Sequence, residues 1–201
     1  MILLPLLAEA SAPTLPKVID PGISYTDYPA SALQGLEQGS ELVRVIVSPS
    51  GDVLGCQIAI PSKFADLDAA ACTGMKRAKF SPGRDRNGDA AYSLFENWVT
   101  WSIGGALKQP DTIDVELTVN HLPQGSPAKP VSKLALTVSK TGAVESCSVV
   151  RSSGNESLDG VACSSGVQSA RISPLTDEND NPVESVQPLN VAFSAEKASS
   201  K

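Results

Sequence analysis

Gly51-Asp52-Val53-Leu54-Gly55-Cys56 and Gly142-Ala143-Val144-Glu145-Ser146-Cys147 are one stretch written twice, 91 residues apart. The agreement continues at the same offset, with Leu67-Asp68 against Leu158-Asp159 and Ala71-Cys72 against Ala162-Cys163. Ser81-Pro82 returns one residue late, as Ser173-Pro174. A shared series of Gly, Val, Cys, Leu-Asp, Ala-Cys and Ser-Pro reads as the tandem duplication of one small unit. The expected fold is α+β: two small units, each a three-stranded antiparallel sheet covered by one helix.

Outward from that stretch, the first unit falls into place. Val43, Val45 and Val47 share one face of a strand, and Ser48-Pro49-Ser50-Gly51-Asp52 is the hairpin turn. By the two-residue period the return strand puts Leu54, Cys56, Ile58 and Ile60 on one side. Asp66, and Ser157 in the second unit, are the expected N-caps of the covering helix. Leu67, Ala71, Met75 and Ala78 form its buried stripe, with Cys72 on the flank. Ala91 to Trp101 is the third strand. In the second unit, Leu134, Leu136 and Val138 match the three valines, and Gly160 and Gly166 weaken the helix. Val186 to Phe193 is the last strand, and Pro188 confines it to an edge.

Two units of roughly 80–90 residues lie near the lower limit for independent folding, where a covalent staple is common. Four cysteines allow three pairings. Symmetry favours Cys56–Cys72 and Cys147–Cys163, which make each unit self-contained; four reduced thiols are the alternative. Apolar residues make up 41% of the 201 and charged residues 19%, a globular composition with few aromatics (4%). The formal charge of −6 argues against a nucleic-acid partner. No run of eighteen apolar residues is present to span a bilayer.

The expected organisation is a signal-peptide remnant over 1–12, a Pro-rich lead-in over 13–27, a first unit over 28–104, a second over 105–195 and a polar tail over 196–201. Ala8-Glu9-Ala10 and Ala10-Ser11-Ala12 have the pattern of a secretory cleavage site, without a basic start before it. Pro29 stands at a helix start, and that short helix ends near Gly35. In the second unit a strand replaces it, with Ile113, Val115, Leu117 and Val119 on one face.

Tyr28-Pro29-x-x-Ala32, the Val-rich strand, Ser50-Gly51-Asp52-Val53, Leu67-Asp68-x-x-Ala71 and Phe80-x-Pro82 resemble the TonB C-terminal domain, over nearly all of 28–101 and more weakly over 130–194. The paired cysteines resemble a variant found in some alphaproteobacterial proteins. That family implies a periplasmic domain that binds a short segment of outer-membrane receptors by adding a strand to its sheet. Its energy transducers also carry a membrane anchor and a Pro-rich spacer. This sequence shows neither, so a complete transducer is not expected unless the start is truncated.

The functional expectation is a periplasmic or secreted TonB-like module that binds a protein or peptide, linked to energy-dependent transport across the outer membrane. The candidate edges carry Tyr92, Phe95, Asn97, Val99 and Trp101 on one strand, and Val191 and Phe193 on the other. The alternative is a non-catalytic envelope scaffold with no free edge. Catalysis is not expected, because His121 stands alone and Asp66, Asp68 and Asp159 read as structural. Neither a cofactor nor a metal is expected. Asp85-Arg86-Asn87-Gly88-Asp89 and Asp177-Glu178-Asn179-Asp180-Asn181 have the composition of turns and lack the spacing of a calcium loop.

Overall fold

The structure, a computed structural model, describes residues 11–196. The expected leader therefore lies outside the described residues except for Ser11 and Ala12, and so does the tail beyond Glu196.

In chain order the first half contains β1 (Lys17–Asp20), α1 (Ala30–Gln34), β2 (Gly39–Val47), β3 (Val53–Ile60) and α2 (Ala65–Met75). Two short strands, β4 (Lys79–Ser81) and β5 (Gly83–Arg84), lead to the long β6 (Ala90–Trp101). The second half contains β7 (Val115–Val119), β8 (Val131–Val138), β9 (Val144–Arg151) and α3 (Glu156–Val161). Short β10 (Leu175–Thr176) and β11 (Pro182–Val183) precede β12 (Ser185–Ala195).

Alternation on β2 places Val43, Val45 and Val47, all fully buried, against Leu67, Ala71 and Met75 of α2. Each such side chain contributes about 1.5–3 kcal/mol of apolar burial. Leu134, Leu136 and Val138 do the same under Leu158 and Ala162. The hairpins share their irregularities. In the first, register slips at Leu42/Val43 and Ile46/Val47; in the second, at Lys133/Leu134 and Thr137/Val138. Those bulges correct the simple alternation expected of β3. Val53, Cys56 and Ile58 join the core, whereas Ile60 falls opposite Leu42 and is 41% exposed. Gly51 adopts φ +88° where a Cβ would lie 2.0 Å from the Phe80 carbonyl oxygen, so only glycine fits this turn.

The helix starts also differ from expectation. The caps are Phe64 and Asn155, and Asp66 and Ser157 lie inside the first turns. Only Asn155 caps with its side chain, accepting from the Leu158 N–H at 3.2 Å. The second helix passes through a wider π turn over Ala162–Gly166. α1 ends at Gly35, as expected. Ile113 stays 48% exposed outside β7, while Val115, Leu117 and Val119 reach the core.

Both cysteine pairs are closed within their own halves, Cys56–Cys72 and Cys147–Cys163. The halves are not separate sheets, however. One sheet runs β3-β2-β6-β12-β8-β9, joined where β6 and β12 pair in parallel, Tyr92 opposite Ser185 and Ser93 opposite Val186. The register fixes the faces. Ser93 lies opposite Val47, on the α2 side, and Ser185 lies opposite Val138, on the α3 side. Because Ser93 pairs with Val186 and not with Ser185, the α2 side continues into the side facing away from α3. The two helices therefore cover opposite faces of one sheet.

Candidate functional site

A strand offers a binding edge only where its outward N–H and C=O groups lack a partner. β12 has none to offer over most of its length. It pairs with β8 from Ser185 to Ala192 and, on its other side, in parallel with β7 from Val191 to Ala195. Val191 and Phe193 are buried in the second core, at 0% and 4% exposure. Their place as a candidate edge is thus corrected: β7, the strand that opens the second unit, covers them.

Pro188 is not at a sheet edge either. Asn190 donates its N–H to the Asp114 carboxylate and accepts from the Asp114 N–H, so even-numbered positions of β12 point away from β8. Pro188 shares that direction. It stands where β6 has diverged and β7 has not begun, and its missing N–H costs no ladder bond there.

β6 behaves differently. Tyr92 is taken up at the join with Ser185. From Leu94 to Trp101, β6 pairs with β2 alone among the described residues. Phe95, Val99 and Trp101 turn toward α2, and Asn97 is exposed. A groove of about 420 Å³ runs along this edge, between Phe95–Ser102 and the segment carrying Val18, Ile23, Tyr25 and Tyr28. Tyr25 is 89% exposed, which leaves an apolar ring at the rim.

The end of the edge is held by a buried pair that sequence reasoning missed. The Trp101 Nε1–H donates to Glu41 Oε1 at 2.6 Å, and Tyr28 packs edge-on against the Trp101 ring at 5.2 Å. Glu41 is fully buried, and its second oxygen has no partner among the described residues. Burial pushes this carboxyl up to about 7; the Trp101 bond acts against the rise and the nearby Asp68 charge adds to it. The signal was the alternation of Glu41 with Val43, Val45 and Val47, which puts it on the core face.

The other candidates resolve as structure. Asp68 accepts from the Ser62 N–H at 2.9 Å. Asp159 accepts from the Ser153 N–H and from the Ser132 and Ser152 hydroxyls. Burial raises the Asp159 pKa, but these bonds more than offset it and hold the carboxyl below its ordinary range. Asp66 accepts from the Ser31 hydroxyl at 2.6 Å. Asp85 and Asp177 each bind two N–H groups of their own turns. No cluster of potential metal ligands is found among the described residues. His121 is exposed in the turn after β7.

The stretch that holds this helix, valine strand, hairpin, second helix and long third strand is similar in sequence to a known family. Residues 24–103 match the family model of the Gram-negative bacterial TonB protein C-terminal. The match covers the first half, from the lead-in to α1 through the end of β6, and includes the whole open edge. No curated protein and no solved structure matches the chain. The TonB C-terminal domain is a protein-interaction domain of the Gram-negative envelope, and the first half of this chain resembles it in sequence.

Proposed function

We propose that the chain is a periplasmic, non-catalytic module built of two TonB C-terminal-like units, which binds an extended segment of a partner protein along the outer edge of β6. The observation that carries this reading is the stretch of β6 from Leu94 to Trp101 whose outer side has no strand partner among the described residues, inside the region matched by the family model. An added strand gains main-chain hydrogen bonds there, and the groove beside Phe95 and Trp101 receives alternate side chains. By the family resemblance, the partner is a short segment of an outer-membrane receptor, and the link is to energy-dependent transport. The second unit, with β12 covered on both sides, serves as a scaffold for the first.

The test is titration of a synthetic receptor-segment peptide into the oxidised chain, followed by Trp98 and Trp101 fluorescence. Thr100 lies on β6 at the parity whose counterparts on β12 point outward. Thr100→Pro removes an outward donor and should weaken binding about tenfold or more, whereas Thr100→Ala should bind as the parent does. Equal binding by the proline variant contradicts the reading.

A further inference from the structure

The duplication leaves one groove filled and its counterpart open. On the face of the second half that looks away from α3, Leu15 packs against Ala91, Ala135 and Val186. The Ser148 hydroxyl donates to the Pro13 carbonyl at 2.6 Å. Thr14 exchanges both backbone hydrogen bonds with Arg84 of β5, at 2.9 and 3.0 Å. Beyond it, β1 pairs with β4, bringing Asp20 opposite Lys79. The chain thus threads its own segment from Pro13 to Asp20 through the groove as an added strand.

The matching groove lies on the face of the first half that looks away from α2. It has a volume of about 910 Å³ and is lined by Arg44, Ile46, Gln57 and Leu94 on the sheet side and by the segment from Ser169 to Leu175. Position by position, Gln57 stands where Ser148 stands, Leu94 where Val186 stands, and β10 where β5 stands. β10 pairs with β11 in the same register as β5 with β6. Thr176 is then the counterpart of Arg84, and its outer side has no partner among the described residues. Arg171, the counterpart of Lys79, makes no ion pair among them. Residues 105–112, the counterparts of Pro13–Asp20 at the shift that relates Leu94 to Val186, form no strand.

We infer that this second groove takes an extended peptide segment of a partner protein, which adds a strand to β10 at Thr176, rests an apolar side chain on Ile46 and Leu94, and sets a carboxylate against Arg171. The occupant copies the backbone pairing of Pro13 to Asp20 in the filled groove, where Leu15 is the apolar residue; its carboxylate takes the place of Asp52, which pairs with Lys79 and whose counterpart in the repeat is Ala143. The site is separate from the β6 edge, and either can fail alone.

The probe is a synthetic peptide with the sequence of Pro13–Asp20, titrated into the isotope-labelled full chain and followed by amide chemical shifts. Shifts are expected at Ile46, Leu94 and Thr176, with the Thr176 amide becoming protected from exchange. Thr176→Pro and, independently, Ile46→Lys should each weaken binding about tenfold or more; Thr100→Pro should leave it unchanged. Shifts confined to Ala91, Ala135 and Val186 would mean that the peptide only displaces the chain's own segment, and would overturn the inference. Shifts confined to β6, no shifts at all, or a dimer that exchanges its N-terminal segments would overturn it equally.

Discussion

The two halves of the molecule follow one plan and differ where function would be placed. In the first, α2 is a regular eleven-residue helix, and aromatic rings (Tyr28, Phe80, Phe95 and Trp101) fill the core. In the second, α3 breaks into a π turn and the core is almost wholly aliphatic. The first half opens with α1 and leaves the far edge of β6 bare; the second opens with β7, which zips onto the equivalent edge of β12. The difference teaches that two halves built on one plan can leave one strand edge open and close the other by opening with a strand in place of a helix. Parallel pairing of Tyr92 and Ser93 with Ser185 and Val186 covers the start of each of these two edges.

Breaking the staples probes that asymmetry most strongly. Each disulfide closes a loop of sequence separation 16, and its loss should cost about 3 kcal/mol. Replacing Cys147 and Cys163 by Ala should lower the midpoint of denaturant unfolding more than the same change at Cys56 and Cys72, because the interrupted α3 has less packing of its own. A comparable effect arises from Glu41, which has no charged counterpart in the second half, where Ser132 holds that place. Its folded-state pKa is raised, so the folded state holds the proton more tightly than the unfolded chain. Stability should therefore fall as pH rises from about 4.5 to about 7, by roughly 3 kcal/mol, and level off above. Trp101 fluorescence in a Trp98→Phe background should titrate with a midpoint near 7, and a flat profile would contradict this.

Asp159→Asn should cost about 2 kcal/mol, since three donors lose their charged acceptor, and more than Asp68→Asn, where one backbone donor does. The depressed Asp159 pKa gives a stabilisation that is present above the ordinary carboxylate range and is lost as pH falls through the folded value. Chemical denaturation of both variants at neutral and acid pH separates the two sites. The smallest effect distinguishes the helix glycines. Gly160→Ala enters open space and should stabilise by about 1 kcal/mol. Gly74→Ala meets Ile23 at 2.9 Å and should not.

Much of this was legible in the sequence because the same residue pattern occurs twice. The valine face, the hairpin turns, the buried stripe Leu67, Ala71 and Met75, and the cysteine pairing all follow from local periodicity and symmetry. What was not legible depends on pairing between strands far apart in the sequence. Nothing in Val186 to Phe193 says that β7 will cover it, and Pro188 reads as an edge residue because a gap between two neighbours makes the same local demand as solvent. The bulges that swap Val53 for Leu54 are set by strand pairing, which alternation alone does not encode. Glu41 was overlooked because a carboxylate on a core face is rare, although its register position placed it there.

The most direct test of the open edge against the closed one is amide hydrogen exchange in the free chain at equivalent positions of β6 and β12. Ala192 shares its side of β12 with Asn190 and Glu196, whose N–H groups donate to Asp114 and Val119. Thr100 is its counterpart on β6. The amide of Ala192 should exchange slowly, under the cover of β7, and that of Thr100 should exchange orders of magnitude faster. Equal protection at both positions would mean that the β6 edge is covered as well, and would contradict the assignment of this edge as the binding site.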